Sequence, residues 1–384
     1  MSPTESKAAT AAKAQAHAAG SGEAGRFVWC SGVALVLAIV SAYSNSLTGE
    51  FLFDDRPDIV ENPSIRHLWP PWHAVLVTFQ GQTALHNRPV VNLSFALNYA
   101  VGGLHPAGYH LLNLVVHLAA SLTLFGIVRR TLLLPRCEYF RSWATGLALA
   151  AAAIWALHPL QTQAVSYVVQ RYESLMGMFY LLTLYSVIRS ASSSRPRWWT
   201  GVAVASCLLA LGSKEVAVSL PLVVLFYDRA FLAGSLAESW RQRRGLYLGM
   251  AACWAAFAVG YQFTAPKEWA GARLPFHWAD YAVSQPGVIL HYLRLCFWPR
   301  GQCADYALTI ATSVQQVALP VLALAAMLGV TAWALVRRPS WGFLGAWFFL
   351  ILAPTSSVLP LADLAFEHRM YLPSAAVVVA GVLG

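Results

Sequence analysis

The sequence predicts an all-α, polytopic membrane bundle, and three observations carry that expectation. Of 384 residues, 58% are hydrophobic and only 11% are charged, where a soluble domain has about 45–50% and about 25%. The mean hydropathy is +0.53. Apolar runs of about 17–25 residues, the length that spans a bilayer as a helix, recur along the whole chain. These values exclude an ordinary soluble enzyme, a disordered chain and a coiled coil.

The elements follow in order. Residues 1–25 are Ala-rich with Ser, Lys and Gly and show no apolar period, the composition of a disordered tail. The first apolar run, 27–47, is too long for a signal-peptide core and has no clear cleavage site, so it predicts a retained span. Further spans are predicted at 107–128, 143–160, 172–189, 199–212, 216–232, 246–264, 314–336, 341–359 and 371–384. That makes about 10–11 spans, with the segment 286–299 in addition. The last run breaks off inside a span, as expected of a fragment or of a chain whose next domain has been removed.

Segment 286–299 is short and carries Arg294 in its middle. Charge resolves how it lies. If it does not cross, one side of the membrane receives the tail, 129–142, 189–198, 228–245 and 337–340, with sixteen basic and five acidic residues. If it crossed, Arg337 and Arg338 would fall on the other side and weaken the bias. Cytoplasmic loops carry the Lys/Arg excess. The segment is therefore expected to be a re-entrant or interfacial helix, the N-terminus cytoplasmic, and the two long loops 48–106 and 265–313 outside. The net charge of +9 records this asymmetry and does not call for nucleic acid. Six cysteines form no CxxC pair and mostly fall in apolar runs, so neither a metal site nor a disulfide framework is indicated.

The outer side holds the chemistry-bearing residues. Phe51-Leu52-Phe53-Asp54-Asp55 places two adjacent acids at the water interface just after the first span. A carboxylate there can take a proton from an acceptor hydroxyl. Adjacent residues diverge in helix and strand alike, so one acid is expected to face the reaction and the other to hold the loop. A solvated Asx turn is the plain alternative. Arg171 with Glu173, Lys214 with Glu215, and Glu367 with His368 and Arg369 each combine acid and base at an outer span end. Any one pair reads as interfacial snorkelling. Several on one face read as cations gathered for a phosphate leaving group. His110 and His117 share a helix face but have no carboxylate or cysteine at ligand spacing, which favours polar contacts between helices. The sequon Asn92-Leu93-Ser94 is taken as chance.

Taken as an ordered set, FxFDD, RPVVNLSFALNYAVGGLHPAGYHLLNLVVH (88–117), HPLQTQAVSYVVQRYESL (158–175), SKEVAVSLPLVVLFYD (213–228) and FEHRMYLPS (366–374) resemble the transmembrane and TPR repeat-containing O-mannosyltransferase family and its bacterial relatives. The resemblance covers roughly 45–384 and implies a GT-C fold with the catalytic acid in the first outer loop. It implies a dolichyl- or undecaprenyl-phosphate sugar as donor, and transfer of mannose to Ser or Thr of protein with inversion.

Residue by residue, it places the catalytic acid at Asp54 or Asp55, with Asp54 as the base. Arg88, Arg171, Glu173, Lys214, Glu215, Glu367, His368, Arg369 and Tyr371 are implied around the donor phosphate and sugar, with Asp305 and Tyr306 as second-loop contacts. Two positions depart from the family pattern: Gln163 stands where Glu is expected and His368 where Arg is common. The TPR array is not in this chain. No cofactor is required; a divalent metal is compatible with the chemistry but no ligand cluster calls for one. The expected partners are the donor, a protein or glycan acceptor and membrane lipid, not nucleic acid. Ala-richness and few lysines favour a bacterial plasma membrane, or the ER membrane if the source is eukaryotic.

Two readings from other classes compete: a transporter or lipid-carrier flippase, and a non-catalytic membrane scaffold. Transporters place charges in mid-span and repeat in halves. Here the acids cluster at span ends and no repeating halves are evident.

Overall fold

The computed structural model describes residues 25–80, 85, 87–264, 277–306, 308–357 and 363–384. The expected tail and part of the second long loop lie outside these residues. The described residues are mostly helical, with no strand among them.

The first helix, α1, is Gly25–Thr48. The first long loop is itself folded: α2 (Pro71–Leu76) and α3 (Pro89–Gly102) pack under it with short 3-10 turns. A separate apolar cluster explains why. Ile59, Ile65, Ala74, Val91, Phe95 and Tyr109 are buried together beneath the loop, so the segment gains burial without crossing anything.

The bundle proper follows with α4 (Pro106–Leu132), α5 (Ala144–Leu157), the short α6 (Thr162–Ser166), α7 (Arg171–Ser192), α8 (Pro196–Leu211), α9 (Leu220–Tyr227) and α10 (Leu236–Thr264). Then come α11 (Trp278–Phe297), α12 (Val314–Arg337), α13 (Pro339–Leu352) and α14 (Pro373–Leu383). Proline opens α3, α4, α8, α13 and α14, the position where its missing N–H costs nothing. Arg129 and Arg130 close α4, matching the negative end of the helix dipole.

Five helices are long and apolar enough to cross a membrane: Gly25–Thr48, Pro106–Leu132, Pro135–Leu157, Val168–Ser192 and Val314–Arg337. The other expected spans form helices that are shorter or begin in charged sequence. α12 packs mainly on α13 and turns Leu319, Leu322, Val330 and Trp333 outward, as a lipid-facing helix does. Gly342 permits that packing: a Cβ there would lie 2.3 Å from the Leu335 nitrogen.

α11 begins eight residues earlier than the 286–299 segment suggested and runs through Pro286. Its start is set by a capping box, His277 with Asp280. Tyr281 bonds Thr355 O, Gln285 bonds Leu364 O, and Tyr292 Oη receives the Phe366 N–H. Through Tyr281, Gln285 and Tyr292, α11 therefore touches the segment that leads into the site described next.

Candidate active site

Asp55 builds the turn that carries the acidic pair. Its N–H donates to Leu52 O at 2.8 Å, and its Oδ2 accepts from Leu52 N–H at 2.9 Å. Its Oδ1 accepts from Val169 N–H at 2.7 Å, tying the loop to the turn that precedes α7. Asp55 is 1% exposed, and burial pushes its carboxyl up to about 6 against those two backbone bonds. Phe53, with φ +43°, adopts the left-handed conformation that costs a non-glycine residue energy. Its ring meets Tyr167 edge-on at 6.2 Å, and Asp54 N–H donates to Tyr167 Oη at 2.8 Å. The result is that Asp54 faces water, with no hydrogen bond or ion pair from its carboxylate among the described residues.

Four distant segments meet at Tyr172. Tyr172 lies at the centre, with Arg88 Cζ 4.2 Å and Lys214 Nζ 4.7 Å from its ring centroid and the His368 ring edge-on at 6.3 Å. Lys214 pairs with the Glu173 carboxylate, both side chains being buried. Arg88 Nη2 stands 3.7 Å from Glu215 Oε2, and Arg88 Nε is buried without a hydrogen-bond partner. Burial pushes the Glu215 carboxyl up, but Arg88 and Lys214 outweigh it and hold the group below its ordinary value. Asp58, also buried, is pushed up to about 7 by burial, against the attraction of Arg88.

The second loop closes one side. Glu367 accepts from Gln302 Nε2 at 2.8 Å, Cys303 N–H at 3.1 Å and Tyr306 Oη at 2.5 Å. Asp363, beside this loop, is raised by burial and by the negative charges of Asp305 and Asp54, offset by Arg369. The charges of Asp54 and Asp305 thus both act on Asp363.

Several of the expected site residues are buried and hydrogen-bonded within the fold. Arg171 is fully buried and spends its guanidinium on neutral partners: Asn113 Oδ1 at 2.6 Å, Asn98 Oδ1 at 2.6 Å and Tyr109 O at 2.9 Å. It joins α3, α4 and α7. Arg369 holds Leu364 O at 3.0 Å and Asp363 O at 2.8 Å. Tyr371 Oη bonds His117 Nδ1 at 2.9 Å, and His117 Nε2 bonds Ala156 O at 3.0 Å. This is the interhelical role expected for His117. Asn92 is buried and bonded to Ser64 and Ala74, so the sequon is structural.

His368 is not the cation its position suggested. Gln163 Nε2 donates to Cys303 O at 3.1 Å, which turns Oε1 toward His368, where it accepts from the backbone N–H at 3.2 Å and faces Nδ1 at 3.2 Å. That geometry assigns the ring proton to Nδ1. Burial, then Lys214, Arg369 and Arg88, hold the ring's pKa well below its ordinary value. Gln163, read from sequence as a departure, therefore orients a neutral His368. Tyr167, Tyr172 and Asp58 were missed as single aromatic or acidic letters inside recognised motifs; only their enclosure marks them. No group of three His, Cys, Asp or Glu residues able to hold a metal occurs among the described residues.

No family model matches the chain, and no solved structure matches it. Curated proteins do match. Protein O-mannosyl-transferase Tmtc1 of Drosophila melanogaster is 34% identical over 199 residues, 50% of this chain and 21% of the relative. Tmtc2 of the same organism is 35% identical over 213 residues, 52% and 21%. Human TMTC3 is 29% identical over 205 residues, 51% and 21%. The chain spans about a fifth of the length of these relatives. Over half of its own length, then, this chain is similar to proteins named protein O-mannosyl-transferases, the resemblance that its ordered outer motifs carry.

Proposed function

We propose that the chain is the membrane-embedded part of a glycosyltransferase that moves a sugar, mannose favoured, from a polyprenyl-phosphate donor to a hydroxyl, with Ser or Thr of protein favoured as acceptor. The observation that carries this reading is the division between the acidic neighbours: Asp55 is locked into the fold, and Asp54 is exposed with no partner for its carboxylate among the described residues.

Asp54 takes the proton of the acceptor hydroxyl as its oxygen bonds the anomeric carbon. The bond from that carbon to the phosphate oxygen breaks, and the phosphate leaves as an anion with the bonding pair. No acid is needed for that departure. Arg88 and Lys214, gathered around Tyr172, are the cations able to receive it. Attack opposite the leaving group inverts the anomeric centre, through a transition state with oxocarbenium character by analogy with glycoside hydrolysis. Arg171, Glu367, Arg369 and Tyr371 act as supports that hold the loops in register.

The test is donor turnover in proteoliposomes with labelled polyprenyl-phosphate mannose, run on wild type, Asp54→Asn and Asp55→Asn. Turnover lost in Asp54→Asn at normal yield supports the assignment. Equal turnover in all three removes the acidic pair from the mechanism.

A further inference from the structure

A second site lies at the far end of the bundle. A cavity of about 360 Å³ opens between α4, α7, α9, α13 and α14, a size within the range of small-molecule sites. Its walls are apolar, formed by Leu124, Val128, Leu184, Phe343, Trp347 and Val379. It is remote from Asp54. α4 runs from Asn113, bonded to Arg171, to Val128 in the cavity wall, roughly 22 Å at 1.5 Å per residue. α14 likewise begins beside the active-site turn and reaches the cavity at Val379 and Leu383.

The rim has the opposite chemistry. Arg136, Arg337 and Arg338 line the cavity and are exposed. Arg136 Nη1 spends one bond on Ala230 O at 3.1 Å. The side chains of Arg337 and Arg338 make no hydrogen bond or ion pair among the described residues. Nearby acids do not neutralise them: Asp228 is committed to Arg243 at 2.7 Å and Tyr247 at 2.7 Å, and Glu138 is exposed on its turn. Tyr139, 87% exposed, and Trp341, 46% exposed, flank the mouth as amphipathic rings do at a membrane surface.

We propose that this cavity binds an anionic phospholipid, its acyl chain among the apolar walls and its phosphate on Arg337 and Arg338. Hydrocarbon walls select a tail, and unpaired guanidinium groups select an oxyanion. Only an amphiphile with a negative head satisfies both, and basic pockets between membrane helices take such head groups. The proposal does not depend on the glycosyltransferase reading.

Native mass spectrometry of the detergent-purified chain, titrated with phosphatidylglycerol, phosphatidylcholine or glycerol phosphate, tests it. Phosphatidylglycerol is expected to bind in preference to phosphatidylcholine, and glycerol phosphate, which has the head but no tail, to be much weaker. Each arginine near a membrane surface contributes about 1 kcal/mol, roughly five-fold in affinity, so R337Q/R338Q should weaken phosphatidylglycerol about 25-fold. V379W, which fills the cavity, should weaken both lipids, and the thermal midpoint of R337Q/R338Q should match wild type. Equal binding of the two lipids, or no effect of R337Q/R338Q, overturns the proposal. Glycerol phosphate binding as tightly as the lipid overturns the role of the cavity. A longer chain that binds no phosphatidylglycerol assigns the cavity to a further segment of the protein and also overturns it.

Discussion

Asp54 and Asp55 are adjacent in the chain and opposite in circumstance: Asp55 gives both carboxylate oxygens to backbone N–H groups, while Asp54 gives its carboxylate to none among the described residues. The two asparagine variants should therefore fail in different ways. Asp54→Asn should lose donor turnover by at least about 100-fold, the span of a general base, at an unchanged thermal midpoint. Asp55→Asn replaces an acceptor-only group with one that must place an N–H₂ against a backbone donor. It should cost about 1.5–3 kcal/mol of stability, read as a lower midpoint in detergent.

Lys214 and Glu173 form a buried pair on which the cation array rests. Removing one partner leaves an uncompensated interior charge, so Lys214→Met should cost about 3–5 kcal/mol. Lys214→Met combined with Glu173→Gln should recover much of that loss. A double-mutant cycle on thermal stability measures the coupling, and additive losses would show that the pair is not coupled.

Arg171 distinguishes a support from a ligand. Lysine keeps the charge but cannot reproduce the fork that reaches Asn113, Asn98 and Tyr109 together. Arg171→Lys should lower stability by about 2 kcal/mol, for bonds made by a charged group, while surviving protein keeps its KM for donor. A raised KM at unchanged stability would instead put Arg171 on the phosphate.

Asp58 sets a pH dependence. Its carboxyl, ordinarily 3.8, is pushed up to about 7 by burial. Between those values the folded chain holds a proton that the unfolded chain has released. The contribution is thus fully present below about 4 and is lost as the pH rises through about 7. Asp55, pushed up to about 6, acts in the same direction. Midpoints measured from about pH 5 to pH 8 should fall with rising pH, and Asp58→Asn should flatten that fall; parallel curves would refute the assignment.

The helical fold was legible because bilayer length and charge asymmetry are local properties of the chain. A helix at 286–299 was also legible, and α11 contains nearly all of that segment. Its true start was not: the cap at His277 lies in polar sequence that carries no apolar period. The residues of the site were legible as motifs, but not their parts in it. Arg171 and Arg369 look like ligands in sequence because charge at a span end suggests function, and Tyr371 because the family resemblance implies it. Only the packing reveals neutral partners around each. Gln163 shows the reverse: a lost charge in sequence becomes, in three dimensions, the group that fixes a neighbour's proton.

His368 meets Gln163 across 205 residues of chain, and Tyr371 meets His117 across 254. At roughly 5–20 residues per second of synthesis, a growing chain waits tens of seconds between making the first partner and the second. Throughout that interval Gln163 and His117 stand without their closing contacts. The last turn before α14 thus matters to biogenesis as well as to the site: a ribosome stalled before residue 367 leaves the earlier contacts of Asp55, Arg171 and Lys214 able to form while Gln163 and His117 still lack their partners.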